Sequence, residues 1–454
     1  MGAYTDYSVQ ELPWCDSFPA HWNLCRAKFM YKKENREVRE NDEVVTCFRD
    51  GTVTLRKNRR LTGFTESVQE AGYQGIRKGD LVIHVMDAFA GSIGVSDSDG
   101  KGTPVYSVCT ATGDYNNYYY AFVLREMART GFIQSLYRGI RERSSDFRFD
   151  VFANQFLPVP PREEQDQIVR FLDWKVSEIN KLINIRRREI NELEALKRSK
   201  IGNLIMGQSQ DFQKPSAINW VTTIPEHWQE KSLIQVAEEQ QVKNAGMVEN
   251  NLLSLSYGKI INKDINTTEG LLPVSFEGYQ IVENGNIILR LTDLQNDHRS
   301  LRTGFVTQCG IITSAYTCIK ARKMMLPEYL QLQLHVADLC KVFYGMGGGV
   351  RQSIGFKDIR KLIVAIPPLE EQEHIVQEVH KIETLINIAI EKLTSEMGTL
   401  EEYKAKIISD AVTGRIDVRG IEIPEYEYVG EEAGISDDDI EDDEEYDEIE
   451  EQED

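Results

Sequence analysis

The sequence predicts an α+β fold in which two mixed α/β domains are separated by two long helices that form an antiparallel coiled coil with pseudo-two-fold symmetry. An internal duplication is the first observation behind this prediction. The 454-residue chain contains PPREEQDQIV from Pro160 to Val169 and PPLEEQEHIV from Pro367 to Val376, a shift of 207 positions. The second observation is a heptad spacing of apolar residues after each copy. The third is a set of short apolar runs, separated by turn residues, before each copy.

The duplication extends beyond the helices and defines the organisation of the chain. WCDSFPAHW at Trp14–Trp22 recurs as WVTTIPEHW at Trp220–Trp228, and YQGIRKGDLVI from Tyr73 corresponds to YQIVENGNIIL from Tyr279. The blocks between these landmarks diverge much more than the helices do, which indicates one scaffold with two different surfaces. The predicted segments are a first domain at 1–157, a first helix at 158–208, a second domain at 209–364, a second helix at 365–420 and an acidic disordered tail at 421–454.

Each copy of the repeat predicts the start of a long helix. A proline pair closes an extended segment and is tolerated in a first helical turn, and the glutamate pair after it suits the positive end of the helix dipole. A helix from about 162 to 206 would be roughly 65 Å long, and its one-sided apolar stripe needs a partner, so we expect the two helices to pack on each other. Gly207 and Gly414 stand where C-terminal caps belong. The two stripes consist of Leu172, Val176, Ile179, Ile183, Ile190, Leu193 and Leu204, and of Val379, Ile386, Ile390, Leu393, Met397, Leu400 and Ile407.

The two domains are predicted to combine strands with short helices. GDLVIHVMDAF, GTPVYSVCT, GNIILRLTDL and GIITSAYTCI are short apolar runs bounded by turn residues, which is typical of strands. NNYYYAFVLREMART and LPEYLQLQLHVADLC have the spacing of short helices.

Composition excludes several classes of protein. No apolar run is long enough to span a bilayer and the first residues do not resemble a secretory signal, so we expect a cytoplasmic protein without membrane contact. The seven cysteines form no CxxC pair and the histidines lack zinc spacing, which predicts neither a disulfide framework nor a metal site. No phosphate-binding GxxxxGK[ST] pattern, methyltransferase NPPY-type motif or hydrolytic triad is present, so we expect no catalysis by this chain alone.

The formal net charge of −21 is unevenly distributed. Residues 421–454 hold 19 Asp and Glu and no Lys or Arg, so the remaining chain carries a charge of only −2. A nearly neutral body is compatible with a nucleic-acid partner, whereas the tail has the composition of a disordered segment.

The duplicated PPxEEQxxIV helix, with a variable domain before each copy, resembles the DNA-specificity subunits of prokaryotic Type I restriction-modification systems. Three further segments are similar to ones that recur in the target-recognition domains of that family: KGDLVIHVMDAFAGSIGV at Lys78–Val95, GNIILRLTDLQNDHRS at Gly285–Ser300 and GGGVRQSIGFKDIRKLIVAIPP at Gly347–Pro368. The resemblance covers residues 1 to about 420, and the acidic tail departs from the pattern.

The resemblance implies a division of labour. Each domain would recognise one half of a bipartite asymmetric site in double-stranded DNA, and the helices would set the unread spacer and hold two methyltransferase subunits. Restriction and translocase subunits would join the full complex. S-adenosylmethionine, ATP and magnesium would belong to these partner subunits, and this chain would bind no cofactor itself.

DNA contact requires Lys and Arg for phosphates, and Arg, Asn, Gln or aromatic side chains for base edges. Three kinds of segment fit. RKNRR is a dense basic run that also suits a solvated loop, NDHRSLR is a polar loop, and YRGIRER and GGGVRQS occupy equivalent places before the last strand of each domain. The predicted DNA-binding residues are Arg56, Lys57, Arg59, Arg60, Arg141, Arg143, His298, Arg299, Arg302, Arg351, Gln352 and Ser353.

Two alternatives stay open at this point. The tail is either a solvating appendage or a mimic of DNA phosphates that occupies basic surface until DNA displaces it. The chain as a whole is either the DNA-recognition subunit or a coiled-coil assembly or regulatory protein that acts through protein contacts and its tail.

Overall fold

The computed structural model describes residues 2–8, 12–59, 72–136, 146–265, 275–294, 297, 300–346 and 354–430. The chain divides into two compact units, each of which contains part of both long helices. The first unit consists of residues 1–187 and 394–434, and the second of residues 188–393 and 435–454.

The first unit is built on a four-stranded antiparallel sheet in the order β2-β9-β6-β7, with the two-stranded pairs β1–β10, β3–β4 and β5–β8 beside it. Its described strands are β1 (Asn23–Arg26), β2 (Tyr31–Lys33), β3 (Val45–Cys47), β4 (Val53–Leu55), β5 (Gln74–Ile76), β6 (Leu81–His84), β7 (Ile93–Val95), β8 (Gly100–Gly102), β9 (Tyr106–Ala111) and β10 (Phe156–Val159). Its helices are α1 (Ala27–Met30), α2 (Asn117–Arg129), α3 (Phe132–Ser135), α4 (Phe149–Ala153) and the first part of α5 (Arg162–Ile205).

The second unit repeats this topology. Its four-stranded sheet has the order β14-β21-β18-β19, and β13–β22, β15–β16, β17–β20 and β11–β12 form pairs. The strands are β11 (Gln213–Pro215), β12 (Thr223–Pro225), β13 (Gln229–Ser232), β14 (Ala237–Glu239), β15 (Leu253–Ser256), β16 (Lys259–Asn262), β17 (Gln280–Val282), β18 (Asn286–Leu289), β19 (Thr303–Phe305), β20 (Gly310–Ile312), β21 (Thr317–Ala321) and β22 (Ile363–Ile366). The helices are α6 (Leu233–Val236), α7 (Pro327–Leu339), α8 (Phe356–Ile359) and the first part of α9 (Leu369–Val412).

The two long helices run antiparallel within each unit. In the first unit, Arg186 Nε lies 3.0 Å from Glu396 Oε2, and Lys404 Nζ donates to Asn180 Oδ1 at 3.3 Å. In the second unit, Lys197 Nζ donates to Asn387 Oδ1 at 2.9 Å. Each predicted stripe residue is buried or partly buried. The predicted fold class, mixed domains joined to paired antiparallel helices, is therefore confirmed.

Gly207 and Gly414 end the long helices for two physical reasons. Both have positive φ, +63° and +72°, which a residue with a side chain rarely adopts. In addition, a Cβ on Gly207 would lie 2.4 Å from the Pro225 ring, and one on Gly414 would lie 2.3 Å from the Pro19 ring. These prolines belong to the repeated FPAHW and IPEHW segments, so each helix end packs against one copy of that segment.

The first ten residues of the predicted tail, 421–430, are described and contact α5. Residues 421–430, here called the strap, lie along the first part of α5. Ser177 Oγ donates to the carbonyl of Glu427 at 3.0 Å and accepts the N–H of Val429 at 2.6 Å. Asn180 Nδ2 donates to the carbonyl of Val429 at 3.2 Å. Residues 431–454 lie outside the described part of the chain.

Among the described residues, no helix combines the length and apolarity that crossing a membrane requires.

Candidate nucleic-acid interface

The glutamine of the repeated PPxEEQ motif joins each long helix to its own domain. Gln165 Oε1 accepts the N–H of Asn116, the residue before α2, at 2.9 Å, while its Nε2 donates to the carbonyl of Pro160 at 2.8 Å. Gln372 repeats both contacts, with the N–H of Leu326 at 2.7 Å and the carbonyl of Pro367 at 2.9 Å. Both glutamines are buried. The motif is therefore a joint between each long helix and its own domain.

The second glutamate of the motif fixes the other side of the joint. Glu164 accepts hydrogen bonds from Trp22 Nε1 at 3.0 Å and from the hydroxyl of Tyr4, and it lies 2.9 Å from His21 Nε2. The histidine of the FPAHW segment is thus a structural partner of a carboxylate.

The equivalent glutamate of the second unit has the same partners. Glu371 accepts the indole N–H of Trp228 at 3.0 Å and lies 2.9 Å from His227 Nε2. Burial acts to raise the pKa of Glu371, but the hydrogen bonds from His227, Gln210 and Trp228 outweigh burial and hold the pKa below its usual value. The motif alone did not reveal these partners, although the parallel repetition of EEQ and of HW was a signal that they act together.

Each domain contains an equivalent backbone hydrogen bond, which joins two segments of that same domain. In the first domain, the N–H of Phe147 donates to the carbonyl of Val85, in the loop between β6 and β7, at 3.1 Å. In the second domain, the N–H of Ile354 donates to the carbonyl of Leu291, in the loop between β18 and β19, at 2.9 Å. Val85 and Leu291 differ by 206 positions, and Phe147 and Ile354 by 207, so the contact belongs to the duplicated scaffold.

This contact matters because of what precedes it in the sequence. Phe147 follows the YRGIRER segment and Ile354 follows the GGGVRQS segment. In each domain, a residue that follows the predicted DNA-binding segment is therefore hydrogen-bonded to the corresponding hairpin loop of that domain.

Eight predicted DNA-binding residues lie outside the described residues, and for them the prediction stays a prediction: Arg60, Arg141, Arg143, His298, Arg299, Arg351, Gln352 and Ser353.

The described residues of the basic run differ in exposure. Arg56–Asn58 form a short 3-10 helix after β4, and Arg56 Nε donates to Thr46 Oγ1 at 3.3 Å. Lys57 is well exposed, with its Nζ 2.5 Å from Glu43 Oε2. Arg59 is mostly covered: its guanidinium lies 2.6 Å from Asp50 Oδ2 and 4.6 Å from the ring centroid of Phe48. Lys57 is thus open to a phosphate, whereas Arg59 is used inside the domain.

The carboxylate that holds Arg59 has a lowered pKa. Burial acts to raise the pKa of Asp50, but hydrogen bonds from Thr52 and the positive charge of Arg59 outweigh burial. The pair is therefore charged at neutral pH and stabilises the β3–β4 hairpin.

Arg302 lies inside the second domain, with no exposed surface. Its guanidinium donates to main-chain carbonyls of the β18–β19 loop and to the hydroxyl of Tyr344 at 2.9 Å. We predicted a DNA contact for this residue because NDHRSLR combines side chains suited to base edges with side chains suited to phosphates in a predicted loop. In this structure the side chain instead stabilises the loop, and it has no surface for a direct contact.

The described residues contain no group of three or more His, Cys, Asp or Glu side chains placed to hold a metal ion. All seven cysteines are free.

Comparisons with known proteins agree with this geometry. Residues 225–396 match the model of the Type I restriction modification DNA specificity domain. The chain is 23% identical over 435 residues to the putative Type I restriction enzyme MjaX specificity subunit of Methanocaldococcus jannaschii. The matched region covers 85% of this chain and 95% of that protein. It is also 23% identical over 295 residues to the Type I restriction enzyme MjaVIII specificity subunit of the same organism, which covers 60% of this chain and 64% of that protein.

The fold is similar to that of a chain in a solved structure described as the structural basis of complex assembly and conformational transition of the type I R-M system. The TM-score is 0.63 at 15% sequence identity, and the match covers 88% of this chain and 99% of the other. This likeness shows a shared fold.

Proposed function

We propose that this chain is a DNA-specificity subunit of a Type I restriction-modification system, which its similarity to such subunits supports, and that it recognises a bipartite asymmetric site in double-stranded DNA. Each domain recognises one half of the site. As a specificity subunit the chain is the non-catalytic component, and S-adenosylmethionine, ATP and magnesium are assigned to partner subunits. We place the protein in the cytoplasm of a prokaryote.

The observation that carries the proposal is the shared attachment of two different loops. The hydrogen bonds Phe147–Val85 and Ile354–Leu291 attach the two segments at equivalent points, each within its own domain. The segments before them share almost no sequence beyond Gly and Arg. A framework that is conserved within the chain, combined with loops that differ, is what recognition of two unlike half-sites requires, because base contacts depend on side chains in loops.

The long helices support a second part of the proposal, that they dock methyltransferase subunits and set the spacer. Large apolar side chains are exposed along them: Leu182, Ile185 and Leu196 on α5, and Leu385 and Ile388 on α9. Leu385 is 69% exposed and Ile388 59%. Apolar side chains in series on a helix are typical of a surface that a partner covers. Substituting Leu385 and Ile388 with Glu should weaken copurification with the methyltransferase, whereas substituting the exposed Glu391 with Lys should have a smaller effect.

The decisive experiment is selection from random duplexes with the complex of this chain and its methyltransferase. The proposal expects two short motifs at a fixed spacing. If no bipartite motif is enriched, the alternative is favoured, namely a coiled-coil assembly or regulatory protein that acts through protein contacts. Replacing residues 1–157 with the corresponding block of a relative should change one half-site and leave the other intact. Methyl transfer by the purified chain alone should be absent.

A further inference from the structure

Arg302 is a fully buried arginine immediately before β19, and its guanidinium contacts described residues of the loop between β18 and β19. It donates to the carbonyls of Thr292 at 2.6 Å, Asp293 at 3.3 Å and Asp297. A guanidinium carries five N–H donors in a planar fork. Here the fork is directed at main-chain oxygens of the loop, so it ties several points of the loop to one side chain.

The loop needs such a donor because of its shape. Asp293 has a positive φ of +51°, and the carbonyls on both sides of this bend point toward the interior. Buried carbonyls without a donor are unfavourable. The Asp297 carboxylate lies 3.5 Å from the guanidinium, and the Tyr344 hydroxyl accepts a hydrogen bond from it at 2.9 Å. Lysine has a single ammonium and could not satisfy the same set of acceptors.

The same loop is joined to the end of the glycine-rich segment. Leu291 accepts the hydrogen bond from Ile354, and the Tyr344 hydroxyl donates to the carbonyl of Asp297 at 3.2 Å. Asp297 and Ser300 flank His298 and Arg299 in the sequence, and Ser300 N–H donates to Asp297 Oδ1 at 2.8 Å. The position of Arg302 therefore sets the position of the described residues around which the second domain is expected to meet DNA.

The matched position of the first domain holds a serine. Pairing of β6 with β7 and of β18 with β19 aligns Ile93 with Thr303, so Ser92 occupies the place of Arg302. Between the last paired residues of the two strands lie nine residues, 84–92, against thirteen in the second domain, 290–302. In the first domain the carbonyl of Asp87 accepts the N–H of Ala90 at 3.0 Å and of Ser92 at 3.2 Å, and the Asp87 carboxylate lies 3.6 Å from Arg49 Nη2.

We propose that Arg302 is a positioning residue for DNA recognition, which determines the half-site preference of the second domain by holding Thr292, Asp293 and Asp297 of the β18–β19 loop from inside and without contacting DNA. This inference rests on the proposed function. It makes the preference of one half-site depend on a buried side chain, while the other half-site is independent of it.

The test compares wild type, Arg302→Lys and Tyr344→Phe in complex with the methyltransferase by selection from random duplexes. Arg302→Lys keeps the charge but loses the fork, and Tyr344→Phe removes one partner of Arg302 and of Asp297. We expect base discrimination in the second half-site to fall by about tenfold for Arg302→Lys and by less for Tyr344→Phe. The first half-site should be unchanged in both. Ser92→Ala, at the matched position of the first domain, should leave the second half-site as in wild type.

The outcomes separate the inference from the proposed function. If wild type enriches no bipartite motif, the proposed function is rejected. If wild type enriches one but the variants keep the same base preference in the second half-site, or lose affinity equally for all sequences, the role of Arg302 in specificity is rejected. If Arg302→Lys fails to assemble, Tyr344→Phe decides by the same criterion.

Discussion

The indole N–H of Trp22 donates to the Glu164 carboxylate at 3.0 Å, and this contact joins the start of α5 to a segment 142 residues earlier. Glu164 has only 4% of its side chain exposed, whereas its counterpart Glu371 has 21%. Removing a buried charged acceptor leaves its donors unpaired and costs several kcal/mol, and the cost decreases with exposure.

Glu164→Ala should therefore lower the free energy of unfolding of the first unit by about 3 kcal/mol, and Glu371→Ala that of the second by about 1 kcal/mol. Urea denaturation followed by tryptophan fluorescence measures both. Glu163→Ala is the matched control, since Glu163 is exposed in the same helical turn. Equal losses for Glu163 and Glu164 would contradict the structural role of the buried contact.

Gln372 gives a second test of the joint. Gln372→Glu keeps the size of the side chain but replaces the Nε2 donor to Pro367 with an acceptor in a site without solvent exposure. We expect a loss of about 2–4 kcal/mol at neutral pH. The exposed neighbour Glu373 provides the control substitution Glu373→Gln, which should change stability by less than about 0.5 kcal/mol. Thermal denaturation of the two variants would show no difference if the joint were unimportant.

Much of the architecture could be predicted because it depends on local rules repeated twice. The Pro pair, the Glu pair and the terminal glycine place the ends of each helix within a residue or two, and the apolar spacing identifies the buried stripe. Arg302 could not be placed in the same way. Its burial depends on the carbonyls of Thr292, Asp293 and Asp297, which turn inward, and the sequence contains no record of where main-chain oxygens point.

The strap was missed for a different reason. Charge density averaged over 421–454 predicts disorder, but nearly all of the acid lies after residue 430, and the first ten residues include Ile421 and Ile423, which pack against the core of the first unit. The side chains of Ser177 and Asn180 on α5 bond the main chain of the strap. Both are ordinary polar residues of a helix, so the sequence gave no signal of this role.

Stability of the first unit also depends on pH through Asp173, a carboxylate on α5. Burial raises the pKa of Asp173 to about 6, and burial together with the charge of Asp173 raises the pKa of Tyr426 in the strap. The folded state therefore binds the Asp173 proton more tightly than the unfolded chain does. The contribution of Asp173 is most favourable below the unfolded pKa of about 4 and becomes less favourable as the pH rises through about 6.

Asp173→Asn should consequently stabilise the first unit at pH 7.5 by about 1–2 kcal/mol, after allowance for partial solvent screening, and by less at pH 5. Thermal denaturation at the two pH values measures the difference. Glu178→Gln, on the exposed side of the same helix, should show no such dependence. A gain for Asp173→Asn that is the same at both pH values would contradict this assignment.

The acidic segment after the strap can be tested separately from it. Because residues 421–430 contact α5, the informative deletion is 431–454, which removes 16 acidic residues and no basic ones. If this segment imitates DNA phosphates, its deletion should tighten binding to non-specific duplex severalfold at low salt, and the effect should disappear at high salt. A variant of equal length with Gln and Asn in place of Glu and Asp should behave like the deletion. Unchanged affinity in both would leave the segment as a solvating appendage.

Lys57 and Arg59 separate a DNA contact from a structural role within one basic run. Lys57 is exposed beside Glu43, so Lys57→Gln should weaken DNA binding and lower the slope of log affinity against log salt by about 1. Glu43→Gln should have the opposite effect on affinity, because it releases Lys57 and removes a negative charge. Arg59→Gln should mainly reduce stability, by about 1–2 kcal/mol, since Asp50 and Phe48 hold its guanidinium. If Lys57→Gln and Glu43→Gln both leave affinity and salt dependence unchanged, the run is a solvated loop, and DNA contact in the first domain must come from other segments.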